Sequence, residues 1–174
     1  MVPLPTLTVL PLVAALALSQ GPQDLSSIEE EAKRPTLRGL PGVFLVVNTP
    51  THLVTSAERT NIVTEAELTL RSAGIRLYTV DDVRANPRLP TLLIASSATR
   101  VSRRGDPVPW ATAVELSQGV YLARDPNLYT RAITWNVAGW FGFGPEESIL
   151  EKARTEIING AKRFANAYSA ANAK

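Results

Sequence analysis

The spacing of apolar and polar residues changes several times along this chain, and each change predicts a different element. A continuous β-branched and aromatic run at 43–47 lies between Pro41 and Pro50, which predicts a strand over 42–48 that is apolar on both faces. Between 55 and 74 the apolar residues recur at helical spacing, and Gly74 is placed to close that helix in the left-handed conformation. A strand is predicted next at 75–78, and the order strand, helix, strand favours a right-handed parallel crossover.

Strand patterns dominate the second half of the chain. Residues 110–124 alternate apolar and polar side chains, which predicts one half-buried antiparallel strand with Gly119 as a bulge or a point of close approach. Further strands are predicted at 91–96 and 130–137, with a turn at 125–127. The last element is a helix that begins at Pro145 and carries an apolar stripe at steps of three and four: Ile149, Ala153, Ile157, Ala161, Phe164 and Tyr168.

Together these elements predict a single α/β (α+β) domain over residues 42–174. The expected architecture is a two-layer sandwich in the order β-α-β-β-β-β-α, with a mixed sheet of about five strands and the helices packed on one face. Residues 20–41 read as a polar leader in which a short helix at 28–34 ends at Pro35.

The first 23 residues carry no charged side chain, and Leu7 to Leu18 is mostly apolar. This run is shorter than the roughly 20 residues that span a bilayer, but it suits a signal peptide over 1–19, with cleavage before Gln20. We therefore expect an exported protein, periplasmic or extracellular, with no stable membrane span after cleavage. The alternatives are an uncleaved anchor or a buried N-terminal strand; because the segment before the apolar run lacks Lys and Arg, either the signal is atypical or the true start lies upstream.

The amino-acid composition excludes several classes of functional site. The 174 residues include no cysteine and one histidine, so disulfides, thiolate metal sites, a cysteine nucleophile and a lipidated N-terminal cysteine are excluded. The 18 basic and 16 acidic side chains give a net charge of +2, which is too small to indicate nucleic acid as a partner. We expect no cofactor, no metal ion and no lipoprotein anchor.

An aromatic segment lies between the last predicted strand and the last helix, at 139–144. Its Gly-x-x-Gly-x-Gly spacing fits neither the dinucleotide-binding fingerprint nor the Walker phosphate-binding loop. Glu146 and Glu147 would also repel a phosphate there. Trp140, Phe141 and Phe143 are candidates for stacking on a sugar, peptide or lipid, or for inserting into a partner. The alternative is that Trp140 and Phe143 cover the open edge of the core.

A second candidate binding site is a group of arginines. Between 84 and 104 five arginines occur with no acidic residue among them, and the next acidic residue is Asp106: Arg84, Arg88, Arg100, Arg103 and Arg104. If the loops at 84–90 and 99–107 lie at one end of the sheet, these arginines form a basic rim for an anionic group. The alternative is a solvated hairpin tip. The ligand- or partner-binding candidates are accordingly Trp140, Phe141, Phe143, Arg88, Arg100, Arg103 and Arg104.

Candidate catalytic groups are few, and we assign no catalytic residue. His52 follows a strand near Ser56, but no nucleophile motif accompanies the pair. Asp81 and Asp82 suit a capped turn better than a cation site. Glu115 lies mid-strand among polar positions, where a cross-strand ion pair with an arginine is expected.

Several stretches resemble a family of small, exported bacterial α/β proteins without assigned function. The resemblance covers residues 37–135 patchily, and the residues that carry it lie at 37–43, 70–75, 114–120, 122–124 and 134–135. More loosely, the element order is similar to small α/β domains of envelope proteins, such as the N-terminal domain of the Tol translocation protein and outer-membrane assembly or transport-auxiliary proteins. The resemblance implies a binding or assembly module and carries over no catalytic residue.

The leading hypothesis is an exported, non-enzymatic module of the bacterial envelope or extracellular space, which binds an envelope protein or a small ligand. The alternatives are a small hydrolase that uses His52 or clustered carboxylates, and a purely structural domain of a larger assembly. The sequence specifies no biochemical activity.

Overall fold

Five strands form one mixed sheet in the computed structural model, which describes residues 33–99, 107–137 and 139–173. A short 3-10 helix at Arg34–Leu37 comes first. The remaining elements, in chain order, are β1 (Phe44–Asn48), α1 (Ser56–Ser72), α2 (Val80–Ala85), β2 (Thr91–Ala98), β3 (Val108–Leu122), β4 (Asp125–Val137), β5 (Phe141–Gly144) and α3 (Glu146–Asn172).

The sheet order is β1-β2-β3-β4, and β5 also pairs with β3. β1 and β2 are parallel, whereas β3 is antiparallel to β2, β4 and β5. The predicted α+β class, with a mixed sheet of about five strands, is therefore confirmed. The predicted strand at 75–78 is wrong, because this segment makes only one parallel bridge, between Val43 and Leu77. The fifth strand is instead β5, which lies in the aromatic segment at 139–144.

The core lies between the sheet and the two long helices. The stripe predicted on α3 is buried from Ile149 to Phe164, and the Phe164 ring meets the fully buried Trp135 of β4 edge to face, with ring centres 5.2 Å apart. At Gly160 the helix comes closest to the sheet, because a Cβ there would lie 2.7 Å from Val114 and 3.2 Å from Ile94. Burial of these apolar side chains is the main source of stability in a chain that has no disulfide.

Hydrogen bonds fix both ends of α1. The Thr55 hydroxyl and backbone N–H both bond the Glu58 carboxylate, the hydroxyl bond having the larger effect, and together they lower the pKa of Glu58. Because the folded-state pKa is lowered, this cap stabilises the fold above the carboxyl's ordinary pKa, and the contribution is lost as the pH falls through the lowered value. At the other end, Gly74 adopts φ +76°, as the sequence predicts.

The folded part of the chain starts earlier than residue 42. Leu37 and Leu40 are buried in the core, although both lie in the segment that the sequence predicts as a polar leader. The Asn172 side chain at the end of α3 donates to the Leu37 carbonyl at 3.1 Å and accepts from the Gly39 N–H at 2.8 Å. The predicted signal peptide and the predicted helix at 28–34 lie wholly or mostly outside the described residues.

The β3–β4 hairpin extends past the rest of the sheet, because β2 pairs with β3 only as far as Ser117. Its turn is at Ala123 and Arg124, so the turn predicted at 125–127 is wrong. Gly119 is a point of close approach, since the Tyr129 ring occupies the space that a Cβ would need. Arg131 braces the base of the hairpin by donating to the carbonyls of Pro87, Leu89 and Ser117 at 3.0–3.2 Å.

No helix in the described part of the chain combines the length and the apolar character needed to cross a bilayer. This finding is limited to residues 33–99, 107–137 and 139–173.

Candidate functional site

The aromatic segment forms a short edge strand, not a loop. In β5, Phe141 pairs with Ala111 and Phe143 pairs with Pro109 of β3. Side chains alternate along a strand, so both phenylalanines point to the face opposite the helices, which we call the open face. Trp140 precedes the strand and lies on the helix side.

The two phenylalanines of β5 are strongly exposed. Phe141 is 70% and Phe143 is 61% exposed, and their rings meet edge to face with centres 5.0 Å apart. Such exposure is unusual for large apolar side chains that lie side by side. The rings therefore do not cover the core, because they stand on the face of the sheet opposite α3.

Small side chains form a flat floor beside these rings. Ala111 pairs with Phe141, and the next residue of β3 on the open face, Ala113, pairs with Ala95 of β2. Farther along, Val46 and Leu93 form an apolar pair on the same face, and both are half-buried. The helix α3 packs on the opposite face of β2 and β3, against Ile94 and Val114, and the residues of the floor are half-buried.

Glu115 lies near the middle of the open face. Its neighbours across the sheet are Leu93 and Asn136, neither of which carries a charge. No ion pair to Glu115 occurs in the described part of the chain, so the predicted cross-strand pair with an arginine is wrong for these residues. Asn136 itself accepts a 2.8 Å hydrogen bond from the Lys33 ammonium group.

Trp140 lies on the other side of the sheet edge, and half of its surface is exposed. The Arg163 guanidinium of α3 stacks over the indole, 5.1 Å from the ring centre. The Trp140 carbonyl accepts from the Thr112 N–H at 2.8 Å, and its own N–H donates to the Thr112 hydroxyl at 3.3 Å. The three aromatic candidates therefore lie on two different surfaces: Phe141 and Phe143 on the open face, and Trp140 on the helix side.

Two of the five arginines of the predicted basic rim, Arg84 and Arg88, lie in the described part of the chain. Arg88 precedes β2, and its guanidinium stacks on the Tyr129 ring of the hairpin, 4.5 Å from the centre. Arg84 forms an exposed ion pair with Asp81. Arg100, Arg103 and Arg104 lie outside the described residues, but Thr99, which precedes them, is at the opposite end of β2 from Arg88. Arg88 and Thr99 therefore lie at opposite ends of β2, and the basic rim itself stays a prediction.

The candidate catalytic groups are not brought together. His52 is exposed in the turn after β1, and no hydrogen bond links it to Ser56 or to an acid in the described chain. Asp82 caps α2: it accepts from the Thr79 backbone N–H and hydroxyl, and these bonds lower the pKa of Asp82. Among the described residues no three His, Asp or Glu side chains gather into a possible metal site.

No family model and no curated protein matches the chain. Among solved structures it is similar to PelC of Paraburkholderia phytofirmans, described as a dodecamer. A point variant of that protein is 16% identical, with a TM-score of 0.37 over 72% of this chain and 90% of PelC. A second PelC structure is 18% identical, with a TM-score of 0.36 over 70% of this chain and 86% of PelC. At these scores the similarity establishes neither a family nor a function.

Proposed function

We propose that this protein is an exported, non-enzymatic module that binds a protein partner through the open face. The observation that carries the proposal is the pair of exposed rings, Phe141 and Phe143, beside a floor of alanines. Aromatic side chains that are fixed on a rigid element lose little conformational entropy on binding and dominate many interfaces. The floor offers room for a side chain of the partner, and Glu115 offers a charge for its orientation.

A non-enzymatic role is supported by the scatter of the reactive groups. His52 is exposed, Asp82 serves as a helix cap, and Glu115 lies on a flat surface. Acid–base catalysis needs groups within hydrogen-bond reach of one another and of a substrate. No observation on the described residues favours the hydrolase alternative.

Export is the first point to test. We expect material recovered outside the cytoplasm to begin near Gln20, because the apolar run at 7–18 suits a signal peptide. Mass spectrometry of the product from a bacterial host measures this directly. As a control, Leu10→Arg places a charge inside the apolar run and should leave the precursor uncleaved in the cytoplasm. An exported product that still carries Met1 would contradict cleavage at this position.

Binding through the open face is tested by replacing both phenylalanines with serine. The double variant Phe141→Ser, Phe143→Ser should recover at least about tenfold less partner from an envelope fraction, because two central aromatic contacts are lost. Recovery is measured by affinity capture and quantitative mass spectrometry, with thermal unfolding as the test of folding.

A matched control is available at the far end of the β3–β4 hairpin. Tyr121 and Leu128 are also exposed, so Tyr121→Ser, Leu128→Ser removes similar apolar surface away from β5. This second variant should recover the same partners as the unaltered protein. Equal losses in both variants, or no loss in the first, would rule out the open face beside β5 as the binding surface.

A further inference from the structure

A groove with a volume of about 420 Å³ lies between α1 and α3. Most of the side chains that line it are exposed, so it opens on the outer side of the two helices, and we call it the acidic groove. On α1 it follows residues at steps of three and four, which lie on one side of a helix: Glu58, Asn61, Glu65 and Leu68. At a rise of 1.5 Å per residue this side is about 15 Å long, which accommodates two to three turns of another helix.

The floor and one wall of the acidic groove are apolar. Ile62 is buried at the bottom, Leu150 of α3 is half-buried beside it, and Leu68 is 58% exposed. Leu68 does not belong to the buried stripe of α1, so packing of the core does not require an apolar residue at this position. Contact with an apolar side chain of a partner would remove Leu68 from water, which is favourable.

The rim of the acidic groove carries an excess of negative charge. Three carboxylates, from Glu58, Glu65 and Glu151, face one guanidinium, from Arg154. That guanidinium is already paired, because its Nε and Nη2 both donate to the Glu65 carboxylate, at 3.1 and 3.0 Å. Within the described part of the chain Glu58 and Glu151 form no salt bridge, so a carboxylate on each wall is left to pair with cations of a ligand.

The two walls are fixed relative to each other. The pair between Arg154 and Glu65 joins α3 to α1 across the groove. The Glu58 carboxylate is held at the start of α1 by the Thr55 hydroxyl and N–H, at 2.7 and 2.8 Å. Both helices also pack in the core through their buried stripes. Little conformational freedom of the protein is therefore lost when a ligand enters.

We propose that the acidic groove binds a basic amphipathic helix of a partner protein. The apolar stripe of that helix packs on Leu68 and Leu150, and Lys or Arg side chains beside the stripe pair with Glu58 and Glu151. A helix fits better than an extended peptide, because side-chain ridges on a helix pack into the groove between two others. The excess of carboxylates disfavours an acidic helix. The site goes beyond the proposed function, since the acidic groove and the open face lie on opposite sides of the sheet.

The experiment is a titration of the purified protein with a fluorescein-labelled peptide of leucine and lysine, whose leucines form one stripe of a helix. Fluorescence anisotropy should give a dissociation constant of about 10–100 μM at low salt. Binding should weaken at least about fivefold in 0.5 M salt, because the ion pairs are exposed. Two comparison peptides should bind at least about tenfold more weakly. One has the same composition but alternates leucine and lysine, and the other replaces lysine with glutamate.

Variants of the protein separate charge from apolar contact. Glu151→Lys and Leu68→Ser should each weaken binding of the leucine–lysine peptide at least about fivefold. Glu156→Lys makes the same change of charge on α3 but outside the groove. Val80→Ser removes a side chain that is 53% exposed on α2. Both control variants should keep the affinity within about twofold of the unaltered protein. Thermal unfolding shows whether each variant is folded.

The proposal is wrong if a folded Glu151→Lys or Leu68→Ser protein binds the peptide with unaltered affinity, or if either comparison peptide binds equally well. An equal loss in Glu156→Lys would assign the binding to overall charge and also contradict the site. If the purified protein self-associates and Leu68→Ser makes it monomeric, a second copy occupies the groove in place of a partner helix. The Phe141→Ser, Phe143→Ser variant should bind the peptide normally, so this proposal and the proposed function can fail separately.

Discussion

Trp135→Ala is expected to lower the free energy of unfolding by about 3–5 kcal/mol. The indole is fully buried, pairs across the strands with Leu116 and packs edge to face on Phe164 of α3. Its Nε1 has no hydrogen-bond partner among the described residues, so the substitution leaves no partner group unsatisfied. The loss is one of packing, because the β4–α3 contact would retain a cavity of indole size.

Urea unfolding followed by circular dichroism measures this effect. The control is Ile133→Ala, on the same strand but exposed on the open face, which should cost less than about 1 kcal/mol. Trp135→Phe should fall between the two, since it keeps an aromatic ring against Phe164. Similar unfolding free energies for Trp135→Ala and Ile133→Ala would contradict the placement of Trp135 in the core.

Gly42→Ala should cost about 2–3 kcal/mol. Gly42 has φ +153°, and a Cβ there would lie 2.6 Å from the Arg76 carbonyl oxygen. That same oxygen accepts a 2.9 Å hydrogen bond from the Val43 N–H, so it cannot move away without lengthening the bond. The substitution therefore combines an unfavourable backbone conformation with a backbone collision where the 75–78 segment meets β1.

Gly39→Ala separates these two causes. Gly39 also has a positive φ, +69°, but nothing lies within 4 Å of its absent Cβ. This variant should show the conformational cost alone, about 1 kcal/mol. If the two alanine variants unfold at the same urea concentration, the collision with Arg76 contributes nothing and the prediction for Gly42 is wrong.

The sequence predicts the long elements well because their periodicity records burial. The stripe on α3 and the alternation in β3 each extend over a dozen residues or more, and the stripe on α1 joins Ile62, Ala66 and Leu70, so local irregularities average out. The 75–78 segment shows the limit of this signal, since β-branched and aromatic composition alone does not determine whether a segment finds enough partners to become a strand.

The hairpin turn shows a different limit. Asp-Pro-Asn is a strong turn sequence, yet the chain reverses two residues earlier, at Ala123 and Arg124. Cross-strand pairing sets the register here: Tyr121 pairs with Tyr129 and Leu122 with Asp125, and the irregularity between these pairs takes up the three intervening residues of β4. Contacts between strands therefore outweighed the local turn preference.

The candidate site was only partly predictable. The sequence identifies Trp140, Phe141 and Phe143 as a group, but their division between two faces depends on the pairing of β5 with β3. The polar residues of α3 opposite Trp140 give no separate signal, because solvated helix faces carry similar residues. Of the five arginines that the sequence groups together, Arg84 and Arg88 lie before β2, and the other three are outside the described residues.

In the part of the chain that the structure describes, helices pack on one face of the sheet, and this divides the positions of its central strand into two classes. In β3 the even-numbered residues 108–116 point toward α3, whereas the odd-numbered residues 109–117 point to the open face. A systematic substitution scan along this strand should therefore alternate in its phenotype, residue by residue. Changes at even positions should lower the amount of folded protein, while changes at odd positions should leave that amount intact and, under the proposed function, change partner binding. Whether the even or the odd positions are sensitive to substitution shows which side of β3 faces the core. This readout requires no knowledge of the ligand.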